Sequence, residues 1–139
     1  LGRAGGTEGL IGGQVLDLDQ NSRGAWSTVH GRRSTVEHLE EIAKRKTAAL
    51  ITASVVAGGL AADATTAQLR RLRRYGQDVG LAFQFLDDVH DGEGLAKALG
   101  PDEARAHAQG LIQRAVQQLA PFGPRAALLR HLAQWLATT

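Results

Sequence analysis

Two stretches, Ser34-Thr35-Val36-Glu37 and Thr65-Thr66-Ala67-Gln68, carry the capping-box pattern, in which a hydroxyl and a Glu or Gln three residues on satisfy free N–H groups at a helix start. Each precedes a run of apolar residues at helical spacing. The first run holds Val36, Leu39, Ile42, Ala43, Leu50 and Ile51 and reaches about Ala62; the second holds Leu69, Leu72, Val79, Ala82, Phe83 and Leu86 and stops at Gly92 and Gly94. Pro101 after Gly100 suits the first turn of a further helix, and Pro121-Phe122-Gly123-Pro124 separates that helix from a terminal one over Arg125 to Ala137. No strand pattern, internal repeat or low-complexity stretch interrupts the series. The fold class is all-α, a helical bundle.

Composition agrees. Hydrophobic residues make up 43% and charged residues 22% of the 139 positions, enough to bury one core and too few residues for two independent domains. Residues 1–139 are therefore expected to form a single all-helical unit. With six aromatic residues, the core must be packed by Leu, Ala, Val and Ile, which suits helices. Residues 1–20, with six Gly in the first thirteen positions, read as a buried helix whose glycines permit close backbone approach, and 21–33 as a polar connection.

A net charge of +2 is too small to call for a nucleic-acid partner, and no apolar run is long enough for a membrane span. The absence of Cys removes disulfides, thiolate zinc sites and Cys nucleophiles. Nothing points to secretion, so a cytoplasmic location is expected. A chain with no Met that opens on Leu1 in apparent mid-element is expected to be a piece of a longer one.

The chemistry concentrates in Phe83-Gln84-Phe85-Leu86-Asp87-Asp88-Val89-His90-Asp91. Measured from Gln84 around a helix, Asp87 falls at about −60°, Asp88 at about +40° and Asp91 at about −20°. Ala82, Phe85, Leu86 and Val89 point broadly the other way, so an acidic stripe backs onto a buried face. Three carboxylates this close repel one another unless a cation neutralises them. Hard oxygen donors suit Mg²⁺, which takes one or two carboxylates, keeps waters and gives its remaining positions to phosphates. On spacing alone, a solvated helix end explains the stripe equally well.

Lys44-Arg45-Lys46-Thr47 lies halfway along an otherwise apolar helix. Lys44 and Arg45 can pair with Glu40 and Glu41 at helical spacing. Lys46, in core-like surroundings, needs an anionic partner and could hold a phosphate oxygen, with the Thr47 hydroxyl beside it. Gln14 and Asp17, one turn apart, form a third polar spot, for which an interhelical hydrogen bond is the plain alternative.

Gly12-Gly13-Gln14-Val15-Leu16-Asp17-Leu18, Lys46-Thr47-Ala48-Ala49-Leu50 and Gly80-Leu81-Ala82-Phe83-Gln84-Phe85-Leu86-Asp87-Asp88-Val89-His90-Asp91, in this order, resemble the C-terminal half of a trans-isoprenyl diphosphate synthase. The likeness runs from Leu1 to about Asp91. It implies the C-terminal portion of an isoprenoid-synthase bundle that condenses an allylic diphosphate with isopentenyl diphosphate. Asp87, Asp88 and Asp91 would hold Mg²⁺ against the allylic diphosphate, Lys46 would bind the same group, and Thr47 with Gln84 would face the allylic cation. Gln14 and Asp17 would act indirectly on substrate binding. A homodimer formed through helices that include the Gly-rich one, and N-terminal helices absent from this sequence, complete the implied assembly.

Two departures stand out. No Asp-Asp-x-x-Asp precedes residue 87, so half of the family's metal cage is missing, and the segment after Asp91 passes through Gly92-Glu93-Gly94 to Leu99 where the family carries a longer basic stretch. The alternatives to an enzyme fragment are a synthase-like regulatory subunit of a hetero-oligomer and a structural bundle with a solvated stripe.

Overall fold

A computed structural model describes residues 2–6, 8, 9, 11, 14, 15, 43 and 47–138, the Leu95 side chain excepted. Among these the secondary structure is helical, with no strand: α1 (Gly2–Gly5), α2 (Ala49–Ala61), α3 (Thr66–Asp91), α4 (Gly94–Leu99), α5 (Pro101–Gln118), a 3₁₀ helix (Ala120–Ala126) and α6 (Ala127–Leu136).

The 26-residue α3 is the axis of the bundle, packed against α2 on one side and α5 on another. Its start is the capping box read from the sequence. The Thr65 hydroxyl accepts from the Gln68 N–H, and the Thr65 N–H donates to Gln68 Oε1 at 2.8 Å. Its end is Gly92 in the left-handed region at φ 70°, where a side chain would be strained.

α5 runs antiparallel to α3, since the Phe85 and His107 rings meet at a tilt with centroids 5.3 Å apart while Asp78 meets Arg114 at 3.1 Å. Burial pushes the Asp78 carboxyl up, and the Arg114 guanidinium opposes that shift. α2 is also antiparallel to α3. Gly76 and Gly80 lie over Thr52 and Ala48, so close that a Cβ on Gly76 would stand 2.7 Å from the Thr52 Cα. Small residues four apart on α3 thus let the two backbones approach, and the larger core side chains fill the remaining space. Tyr75, Phe85 and Leu119 are the largest fully buried ones.

The Tyr75 hydroxyl donates to the Leu129 carbonyl at 2.8 Å, tying α3 to α6. Burial raises this phenol from 10.0 to about 12. A folded-state pKa above the unfolded one means a contribution that is complete below pH 10 and lost as pH climbs through about 12. Equilibrium urea unfolding across that window should therefore show a fall on the order of 2 kcal/mol for the wild type. Tyr75→Phe should flatten this alkaline limb while costing about 1 kcal/mol at neutral pH for the lost hydrogen bond.

Several expectations are corrected. The terminal helix begins at Ala127, not Arg125, because Gly123 at φ 57° and Pro124 hold the preceding residues in a kinked 3₁₀ helix. Arg130 secures that kink by donating to the Gly123 and Leu119 carbonyls. The segment after Gly92-Glu93, to which the sequence reading assigns no element, is a helix, α4. Phe83, counted in the apolar run of α3, is 45% exposed. In the Gly-rich segment the described residues Ile11, Gln14 and Val15 are helical, yet all three are exposed, so this face is not buried within the chain. The Ser34 capping box, Asp17 and Lys46 lie outside the described residues.

Candidate functional site

The antiparallel pairing of α2 and α3 brings Thr47 to Gln84 across a sequence separation of 37 residues. Thr47 and Ala48 have π-helical conformation at the head of α2, a local widening that is frequent at functional positions. The Thr47 hydroxyl donates to Gln84 Oε1 at 2.8 Å. Gln84 Nε2 in turn donates to Asp88 Oδ1 at 3.0 Å, one helical turn along α3. Gln84 is a buried polar residue, 7% exposed, and both ends of its amide are satisfied. That is the condition under which an amide is tolerated inside a bundle.

Beyond this amide the acidic stripe divides. Asp87 and Asp91 are exposed on the last turn of α3, whereas Asp88 is half-buried. The Asp88 backbone carbonyl accepts from Glu93 N–H at 2.9 Å, and its carboxylate packs directly over Gly94, which has φ 47°. A Cβ on Gly94 would collide with that carboxylate. The glycine therefore makes the seat in which Asp88 rests, a role that the sequence reading missed by treating Gly94 only as a helix stop. No local signal in the sequence marks this contact, because it depends on the turn between α3 and α4.

Among the described residues no three acidic or His side chains converge tightly enough to enclose a metal ion. The donor chemistry nonetheless fits Mg²⁺ bound through few protein ligands. Asp87 and Asp91 present hard oxygens one turn apart on the exposed face, and Asp88, on its Gly94 seat, belongs to the same helix end. His90 is exposed at the same helix end. Gln14, exposed on the Gly-rich segment, makes no hydrogen bond to this group.

The polyprenyl synthetase family model matches residues 5–118. This chain belongs to the polyprenyl synthetase family. A protein of Fischerella ambigua named dimethylallyltranstransferase is 38% identical over 157 aligned positions, covering 99% of this chain and 43% of that protein. The farnesyl diphosphate synthase of Bacillus subtilis is 39% identical over 97 residues, 70% of this chain and 30% of that enzyme. The crystal structure of an FPP/GFPP synthase from Zymomonas mobilis superimposes with a TM-score of 0.83 at 31% identity, covering 97% of this chain and 48% of that one.

The chain thus spans about half the length of the polyprenyl synthetases it matches. The Fischerella alignment uses 157 positions against 139 residues here, so at least 18 positions of that relative have no counterpart in this chain. No helix among the described residues is long and apolar enough to cross a membrane.

Proposed function

We propose that this polyprenyl synthetase chain supplies the diphosphate-binding half of a trans-prenyltransferase that joins an allylic diphosphate to isopentenyl diphosphate. The hydrogen-bonded series Thr47, Gln84 and Asp88 carries the reading, because it joins two of the three segments that resemble the family at the foot of the acidic stripe. In this reading Asp87, Asp88 and Asp91 hold Mg²⁺, Lys46 grips the diphosphate, and the Thr47 and Gln84 oxygens face the carbon from which it departs. Gln14 and Asp17 support the site indirectly. Bound Mg²⁺ would neutralise the diphosphate and so improve it as a leaving group.

The allylic C–O bond breaks, the isopentenyl double bond attacks the resulting cation, and a proton leaves to the released diphosphate. Oxygen dipoles at Thr47 and Gln84 stabilise positive charge where it develops, and the apolar helical surroundings keep water from quenching it. In this reading Asp87, Asp88 and Asp91 are the second aspartate-rich motif, and the first one, with the remaining wall of the cavity, comes from N-terminal helices of the fold. Leu128, Leu132 and Trp135 form an exposed apolar stripe on α6 suited to receive further helices. Assembly as a homodimer in the cytoplasm completes the proposal.

Calorimetry on the intact protein, with its N-terminal helices, tests the reading without requiring turnover. A bisphosphonate should release heat on binding when Mg²⁺ is present and lose that affinity when Mg²⁺ is chelated. No Mg²⁺-dependent binding would leave the stripe as a solvated helix end and sink the proposal.

A further inference from the structure

The series from Thr47 to Asp88 has a direction. A carboxylate can only accept hydrogen bonds, so the Gln84 NH₂ must face Asp88, which turns the Gln84 carbonyl toward Thr47. That carbonyl can only accept, so the Thr47 hydroxyl must spend its single proton on it. The Thr47 oxygen is then left with lone pairs and no proton for anything on its remaining side, and Thr47 is only half-buried. Reversing the Gln84 amide would set its oxygen against the carboxylate, a repulsion that the low dielectric around a side chain 7% exposed makes severe.

We infer that Asp88, seated on Gly94, has a positioning role beside that of metal ligand: through the Gln84 amide it fixes the direction of this chain and holds the Thr47 hydroxyl oxygen in an electron-rich, accept-only state. The inference rests on the prenyl-transfer reading for its purpose. A carboxylate in contact with an allylic cation would trap it as an ester; a neutral hydroxyl polarised through two hydrogen bonds offers negative potential with far less nucleophilicity. The negative charge near the diphosphate end is thereby felt at the cation end through a chain whose members polarise one another.

The test is ¹H–¹⁵N spectroscopy of the Gln84 side-chain amide in the 139-residue chain. The exposed Gln109 and Gln113 serve as internal references. The wild type should give one Gln84 NH₂ pair, exchanging with water roughly tenfold more slowly than the references, the protection expected of a buried hydrogen-bonded donor. Asp88→Asn, which keeps the shape but can both donate and accept, should split this pair into two sets or abolish its protection. Thr47→Val should shift the pair, and Thr47→Ser, which restores the hydroxyl, should return it to the wild-type position.

Wild-type exchange as fast as Gln109, or a pair unmoved by Asp88→Asn in a folded variant, would overturn the inference. Should Asp88→Asn unfold by circular dichroism, the Val and Ser variants decide it: a pair moved by both alike, or by neither, counts against. These signals are recorded without Mg²⁺. Failure of the bisphosphonate titration would therefore sink the prenyl-transfer reading while leaving the amide result standing, and the reverse outcome would do the opposite.

Discussion

Gly80→Leu should destabilise the chain by about 3 kcal/mol or more and lower its melting temperature by roughly 10 °C. The reason lies in the seam between α2 and α3. A Cβ at this position would overlap the Ala48 Cα and stand 2.7 Å from its Cβ. Those atoms belong to a backbone in π-helical conformation at Thr47 and Ala48, not to a flexible side chain that could step aside. The helix-propensity gain of replacing Gly, up to about 1 kcal/mol, is too small to offset the separation of two packed helices.

Gly110 on α5 supplies the contrast, because a Cβ there meets nothing within 4 Å. Gly110→Ala should stabilise the chain by about 0.5–1 kcal/mol in the same thermal or urea unfolding measurement. If Gly80→Leu melted like the wild type, the close approach of α2 and α3 would be wrong. The registration of Thr47 on Gln84 would be wrong with it.

That registration marks the boundary of what the sequence could show. Both ends of α3 were legible because each rests on a local device, the Thr65–Gln68 capping box and the left-handed Gly92. The start of α5 was legible from Pro101 in its first turn for the same reason. α4 was not, since six residues that themselves begin with a glycine give no readable period. The one-turn spacing of Gln84 and Asp88 follows from helix geometry, but the meeting of Thr47 with Gln84 depends on which helix lies against which. Residue spacing carries no information about that; only the family resemblance anticipated it. The unequal burial of the three carboxylates was hidden too, because it arises from the turn that folds Gly94 under Asp88. A helical wheel treats Asp87, Asp88 and Asp91 alike.

That inequality sets the second large effect. Asp87→Ala should lower the Mg²⁺-dependent affinity for a bisphosphonate by about 100-fold or more, and depress prenyl transfer at least as far in a full-length protein. The melting temperature should stay within a degree or two of the wild type. Asp87 is exposed and makes neither of the hydrogen bonds that tie Gln84 into the bundle, so its removal opens no cavity and orphans no donor. Asp91, one turn on and also exposed, should behave in the same way. Asp88→Ala should differ in kind, since it strands the Gln84 NH₂ inside the bundle and adds a loss of stability to any loss of binding. Calorimetry and thermal unfolding on the three single variants separate these outcomes. Equal losses of stability at all three positions would contradict the division of the stripe, and undiminished bisphosphonate binding by Asp87→Ala would remove this carboxylate from the metal site.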